Sequence, residues 1–231
     1  MIVFIMAGGL GKRMESDLPK VCHCVNGKPM IAHVVSTALQ MNPEAIYIIA
    51  GKYKSIIENV VDHPVQWIIQ DEPLGTGHAV KCGLDVLKMH PNTKTLILSG
   101  DVPLISYATL SQLVDGDTDK ILVTELPDPT GCGRIILNAD KKIARIVEEK
   151  DCTPDERSVK LVNCGIYQIN SDTLVRTLPL LSNDNQAHEY YLTDVVQEPF
   201  DYVMLPSDRH YEIKNVNTKK DLEELNAYIT K

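Results

Sequence analysis

The chain has 231 residues, a formal net charge of −8, and hydrophobic and charged fractions of 44% and 23%. That length suits one large domain or a domain with a subdomain, and the composition is that of an ordinary water-soluble protein. The acidic balance carries no basic stripe and no apolar run approaches the length of a membrane span, so neither nucleic acid nor membrane is an expected partner.

The first element is IVFIM, residues 2–6, read as a buried strand. It lacks a basic stretch before it and a cleavage site after it, which excludes a signal peptide. Further apolar, β-rich runs at 45–50, 65–69, 95–98 and 120–124 alternate with helical patterns at 30–41, 55–61, 78–88 and 108–114. Short strands without polar alternation, separated by helices, imply a mostly parallel sheet covered on both faces. After Pro127 the pattern changes: GRIILNADKKIARIVEE reads as a hairpin turning at 138–141. A strand near 164–169, a helix over 171–180 and an amphipathic closing helix in TKKDLEELNAYI follow. The expected fold is one α/β domain, a Rossmann-like mixed sheet with helices on both faces and an antiparallel insertion. Residues 1–126 form its first part, 127–217 the insertion and 218–230 the closing helix.

The six cysteines form no CxxC pair and read as reduced thiols of a cytoplasmic protein. Cys22-His23-Cys24 is too compact for a structural zinc site and has no second ligand pair.

MAGGLGKRM, residues 6–14, follows the first strand directly. Glycines in that place let backbone N–H groups approach an anion. A P-loop would need glycine at Met6 and a hydroxyl residue at Arg13, and the dinucleotide fingerprint would need glycine at Met14. Both are excluded, which leaves a tight turn with surface cations or a phosphate loop of another kind. The second strand end of interest is LILSGDVPL, where the apolar run meets Ser99, Gly100 and Asp101. Ligands of open α/β sheets bind beyond the carboxyl ends of the strands, so both segments are expected to face one crevice.

AGGLGKRM and SDLPKVCHCVNGKPM resemble the signature of nucleotidyltransferases that join a nucleoside triphosphate to a sugar 1-phosphate. The closer resemblance is to the uridylyltransferase domain of bacterial bifunctional GlmU. It continues in order through QDEPLGTGHAV, LSGDVPLI, DPTGCGRI, IVEEKD, VNCGIY and EYYLTD, from Met6 to about Asn217. The resemblance implies transfer of uridylyl from UTP to N-acetylglucosamine 1-phosphate with Mg²⁺, in a monomer or weak dimer. The hexapeptide repeats of the acetyltransferase half are missing from these residues, so acetyl transfer is not expected of them.

The resemblance also implies roles. Met6, Ala7, Gly8, Gly9, Gln70, Gly75, Thr76, Ser99 and Gly100 would hold the nucleotide, with Arg13 and Lys20 facing its phosphates. Asp101 and Asn217 would hold Mg²⁺, a cation that prefers oxygen ligands; Thr218 is left to cap the last helix. Gly133, Glu148, Asn163, Tyr191 and Thr193 would hold the sugar, Glu148 being preferred over Glu149. Lys12 departs from the small hydroxyl residue usual there and is read as solvated. The histidines are read as structural or surface residues. Two alternatives stay open: a related transferase for another base or sugar, and a catalytically silent nucleotide-sugar-binding module.

Overall fold

The computed structural model describes residues 1–9 and 11–229, Lys12 by its backbone alone. The chain runs through β1 (Ile2–Met6), a short hairpin of β2 (Cys24–Val25) and β3 (Lys28–Pro29), then α1 (Met30–Gln40), β4 (Ala45–Ala50), α2 (Lys54–Glu58) and β5 (Gln66–Ile69). It continues through α3 (Thr76–Lys81), α4 (Leu84–Met89), β6 (Lys94–Ser99), α5 (Tyr107–Leu113) and β7 (Lys120–Glu125). A second hairpin, β8 (Arg134–Leu137) and β9 (Ile143–Val147), precedes α6 (Pro154–Arg157), β10 (Leu161–Asn170), α7 (Ser171–Thr177), β11 (Asp201–Met204) and α8 (Lys219–Ile229).

The main sheet has the order β11-β7-β10-β6-β1-β4-β5, with the β8–β9 hairpin attached to β10. Only β10 runs against its neighbours β6 and β7; the other pairs along that path are parallel. This is the expected mostly parallel mixed sheet. Successive strand residues point to opposite faces, and β1 shows that both are buried. Ile2 and Phe4 enter one core with Ile97 and Ile121, whereas Val3 and Ile5 enter the other with Val34 and Leu98. The absence of polar alternation in β1 follows from that two-sided burial.

Several boundaries differ from the sequence expectation. The helix expected at 78–88 is two, α3 and α4, parted at Gly83. A Cβ there would stand 2.5 Å from the Phe4 ring, so only glycine fits where the two helices are joined against β1. The helix expected at 171–180 ends at Thr177, and Pro179 sits in a 3₁₀ turn, Leu178–Leu180. The helix expected at 55–61 stops at Glu58. Strand β10 is longer than the 164–169 segment expected, and a register shift between Asn163 and Tyr167 bends it. Strand β11 was not foreseen in the sequence. The hairpin turn lies where expected: Asn138 Oδ1 accepts from the backbone N–H groups of Asp140 and Lys142, both at 3.0 Å.

Gln168 on β10 is wholly buried, and its amide nitrogen and oxygen have no hydrogen-bond partner among the described residues. Removing an unsatisfied buried amide relieves its desolvation cost. Gln168→Met, nearly equal in volume, is expected to stabilise the fold by about 1–2 kcal/mol, worth roughly 2–4 °C of Tm per kcal/mol at this size. Thermal melting checks this; a lower Tm would mean that the amide is bonded by internal water.

Candidate active site

Strands β1 and β6 lie side by side in register, Met6 opposite Ser99, so their carboxyl ends open together. The Gly100 N–H donates to Met6 O at 2.9 Å, which ties the two following loops to each other. Beyond this seam are two adjoining cavities. The smaller, about 290 Å³, is walled by Ala7, Gly8 and Gly9 of the glycine loop, by Lys20, and by Gln70 and Gly75. The larger, about 630 Å³, extends to Gly133, Glu148 and Asn163. Met6, Thr76, Ser99 and Asp101 line both, so the compartments meet at Asp101.

In the smaller cavity, Gly8 lets the backbone approach the Gln70 amide closely. A Cβ on it would lie 2.7 Å from Gln70 Oε1. The buried Gln70 donates from Nε2 to Gly75 O at 3.2 Å and lies 3.2 Å from His78 Nδ1. These contacts engage the amide nitrogen and fix the side chain, which leaves Oε1 as the acceptor that can face a base edge. Arg13 lies in the 3₁₀ turn Lys12–Met14, exposed and without an ion pair among the described residues. The Lys12 side chain, expected to be solvated, lies outside the described residues.

At the junction, Ser99 Oγ donates to Asp101 Oδ1 at 2.5 Å, and Lys20 Nζ pairs with Asp101 Oδ2. Lys20 also donates to Asn217 Oδ1 at 2.9 Å. Asn217 stands behind Lys20 rather than on a cavity wall, and its backbone N–H donates to Asp221 Oδ2 at 2.9 Å. Thr218 caps α8, accepting from the Asp221 N–H at 3.1 Å, so the cap leaves the Asn217 side chain to the junction. The donor set tests well against Mg²⁺. Asp101 and Asn217 offer two oxygens that already converge on one cation, and Mg²⁺ takes its remaining ligands from water and phosphate. By contrast, Cys22 packs into the core while Cys24 is exposed.

In the larger cavity, Thr193 Oγ1 donates to Glu148 Oε1 at 3.0 Å from behind the wall. Burial pushes the Glu148 carboxyl above its usual range; Thr193 opposes this, and Asp194, Asp151 and Glu189 add to it. Glu149 is occupied elsewhere. It pairs with the buried Arg134 at 2.6 Å and accepts from the Gly131 N–H at 3.0 Å, which holds it below the usual range. The structure therefore separates two adjacent glutamates, one lining the cavity and one bracing its rim. Asn163 is fixed by donating to the Tyr167 hydroxyl at 2.6 Å and accepting from the Gly165 N–H at 2.9 Å. Tyr191 is off the wall, and burial followed by the charge of Asp151 raises its hydroxyl pKa.

The raised Glu148 pKa has a testable sign. A carboxyl whose folded pKa exceeds its unfolded value gives stability that is full below the unfolded pKa and is lost as pH rises through the folded one. Glu148→Gln is expected to match the wild type at acid pH and to melt higher near neutrality. If Glu148 binds sugar hydroxyls, the same change should raise the KM for the sugar phosphate about tenfold. Melting curves at two pH values and steady-state kinetics read these effects separately.

His210, Tyr211 and Lys214 also line the larger cavity, and sequence reading did not select them. Their segment is held by the wholly buried Glu212, which accepts from Thr109 Oγ1 at 2.7 Å, from Arg209 Nε at 2.6 Å and from the Ser106 N–H at 3.1 Å. His210 Nε2 lies 2.8 Å from Thr124 Oγ1. Nothing local in RHYEIK signals a cavity wall; the Arg209–Glu212 spacing, which permits a local pair, was the only clue.

Comparison with known proteins agrees with this architecture. Residues 3–153 match the model of the MobA-like NTP transferase domain. A relative from Acanthamoeba polyphaga mimivirus, named as a UDP-N-acetylglucosamine pyrophosphorylase, is 42% identical over 96% of this chain and 94% of its own length. The bifunctional protein GlmU of Burkholderia multivorans is 42% identical over 97% of this chain, which spans about half (51%) of that relative. A solved chain described as a glucose-1-phosphate thymidylyltransferase from Bacillus anthracis, in complex with a sucrose, shares the fold. The TM-score is 0.72 at 21% identity, over 99% of this chain and 95% of that one. A glycine loop and an aspartate meeting at the carboxyl ends of parallel strands, together with these matches, identify the chain as a nucleotidyltransferase of the MobA-like NTP transferase family.

Proposed function

We propose that the chain transfers the uridylyl group of UTP to N-acetylglucosamine 1-phosphate, giving UDP-N-acetylglucosamine and pyrophosphate, with Mg²⁺ bound at Asp101 and Asn217. The observation that carries this reading is the pair of cavities meeting at Asp101. One has the room and backbone approach for a nucleotide, and the other has polar groups suited to a hydroxylated ring. Both relatives cited at 42% identity are named for enzymes of this nucleotide sugar or for GlmU.

In the reaction a phosphate oxygen of the sugar phosphate forms a bond to the α-phosphorus of UTP, and the bond from that phosphorus to the bridging oxygen breaks. The leaving pyrophosphate keeps the electron pair. The nucleophile is already anionic, so no side chain has to remove a proton. What the protein supplies is alignment and positive charge. Gly8 and Gly9 admit the nucleotide, Gln70 addresses the base, and Arg13 and Lys20 offset charge on the phosphates. Glu148 and Asn163 orient the sugar so that its phosphate points toward the junction. Bound Mg²⁺ would supply further neutralisation of phosphate charge there.

The test is pyrophosphate release from each common nucleoside triphosphate, crossed with a panel of sugar 1-phosphates, with Mg²⁺ and with excess chelator. UTP with N-acetylglucosamine 1-phosphate is expected to stand out, and chelator to stop turnover. A different best pair would reassign the substrates, and binding without any release would make the chain a silent module.

A further inference from the structure

The ammonium of Lys20 contacts both oxygens that the proposed function assigns to the metal, Oδ2 of Asp101 and Oδ1 of Asn217. A Mg²⁺ ion bound to both would need them at about 2.0–2.1 Å. An ammonium within hydrogen-bond distance of the same two atoms fills that space and repels a second cation. We propose that Lys20 and the divalent metal bind this oxygen pair alternately, and that the nucleotide's phosphates draw Lys20 away when the metal enters. This inference rests on the reading of Asp101 and Asn217 as metal ligands.

The surroundings show which group would move. Asp101 is held on both sides: Ser99 Oγ bonds its other carboxylate oxygen, and its backbone carbonyl accepts from the Val216 N–H at 3.1 Å. Asn217 is held through its own N–H by Asp221. Lys20 has a flexible four-carbon stem and a charge that any anion can attract. A Cβ on Gly11 would stand 2.8 Å from Lys20 Cβ, so this glycine gives the stem its room. The same lysine lines the smaller cavity with Gly8 and Gly9, where phosphates would lie. Its side chain is only 15% exposed and that of Asp101 10%, so water screens their attraction weakly.

The exchange couples the two ligands. Metal alone must displace Lys20, whereas metal arriving with UTP finds that lysine compensated by phosphate. By linkage, the nucleotide therefore raises metal affinity beyond what its own phosphates contribute as ligands.

The experiment titrates the full chain with Mn²⁺, read by electron paramagnetic resonance, without nucleotide. Lys20→Met is expected to bind Mn²⁺ about tenfold more tightly than the wild type, although it loses turnover. Arg13→Met, which removes an exposed cation of the same loop that makes no ion pair with Asp101, is expected to change affinity by less than about threefold. Unchanged or weaker binding by Lys20→Met overturns the exchange, as does equal tightening in both variants. Should neither the wild type nor Lys20→Met bind Mn²⁺, even with UTP, the metal site itself is wrong and the exchange falls with it. Wild-type protein gives an independent reading through reductive methylation of Lys20, followed by peptide mass. Mn²⁺ without nucleotide is expected to speed that labelling by freeing the amine; slower or unchanged labelling overturns the proposal even if the methionine variant does not fold.

Discussion

Glucosamine 1-phosphate is expected to be used about 10⁴-fold less efficiently than N-acetylglucosamine 1-phosphate, measured as kcat/KM, because a site built around a substrate's hydrogen bonds leaves them unpaired with the analogue. The larger cavity has apolar lining residues, including Leu126, Val162 and Leu192, against which an acetyl methyl can pack. An amine would bring a positive charge there and lose hydration without gaining the amide's contacts. One feature of the cavity opposes this discrimination. Glu148 stands close enough to Asp151, Asp194 and Glu189 for their charges to raise its pKa, and that acidic surrounding attracts an ammonium. Comparable kcat/KM values for the two sugars would therefore mean that the amine pairs with this cluster and that the cavity does not read the acetamide. Repeating the comparison in Glu148→Gln separates the two effects, since loss of Glu148 should disfavour the amine selectively.

Asp101→Ala is expected to lower kcat for pyrophosphate release by about 10²–10³, the usual cost of losing one preorganised electrostatic contact. Asp101 is nearly buried, bonded by Ser99 and Lys20, and lies where the two cavities join. Its removal leaves Lys20 without its carboxylate partner and leaves Asn217 as the single remaining oxygen of the pair. The KM for the sugar phosphate should change little, because Gly133, Glu148 and Asn163 belong to the far part of the larger cavity. Full activity in the variant, or a loss confined to KM, would remove Asp101 from the reacting centre. Steady-state kinetics across a Mg²⁺ titration distinguishes these outcomes, since added metal should not restore the rate.

Much of this was legible in the residues themselves. The uninterrupted apolar run of β1, buried on both faces, implies a central parallel strand, and a glycine loop directly after it implies a site at its carboxyl end. The turn at Asn138 and the cap at Thr218 are local chemistry, written within a few residues. The broken helix at Gly83 was not legible, because the atom that forbids a side chain there belongs to Phe4, far away in the chain. The roles of Glu148 and Glu149 could be separated beforehand only by resemblance; in the fold, Arg134 takes one and leaves the other to the cavity.

By itself the sequence determined the fold class, most of the elements up to β7 and the two strand ends where chemistry would gather. Periodicity, turn residues and caps are short-range properties, and a chain carries them before it folds. Only the tertiary structure decided that Lys20 meets Asp101 and Asn217, that His210 and Tyr211 complete a wall of the larger cavity, and that Gln168 is buried without a partner among the described residues. Those contacts join residues as much as 197 positions apart. Their existence depends on which strands become neighbours in the sheet, a choice made by packing two cores at once and not by any local stretch of residues.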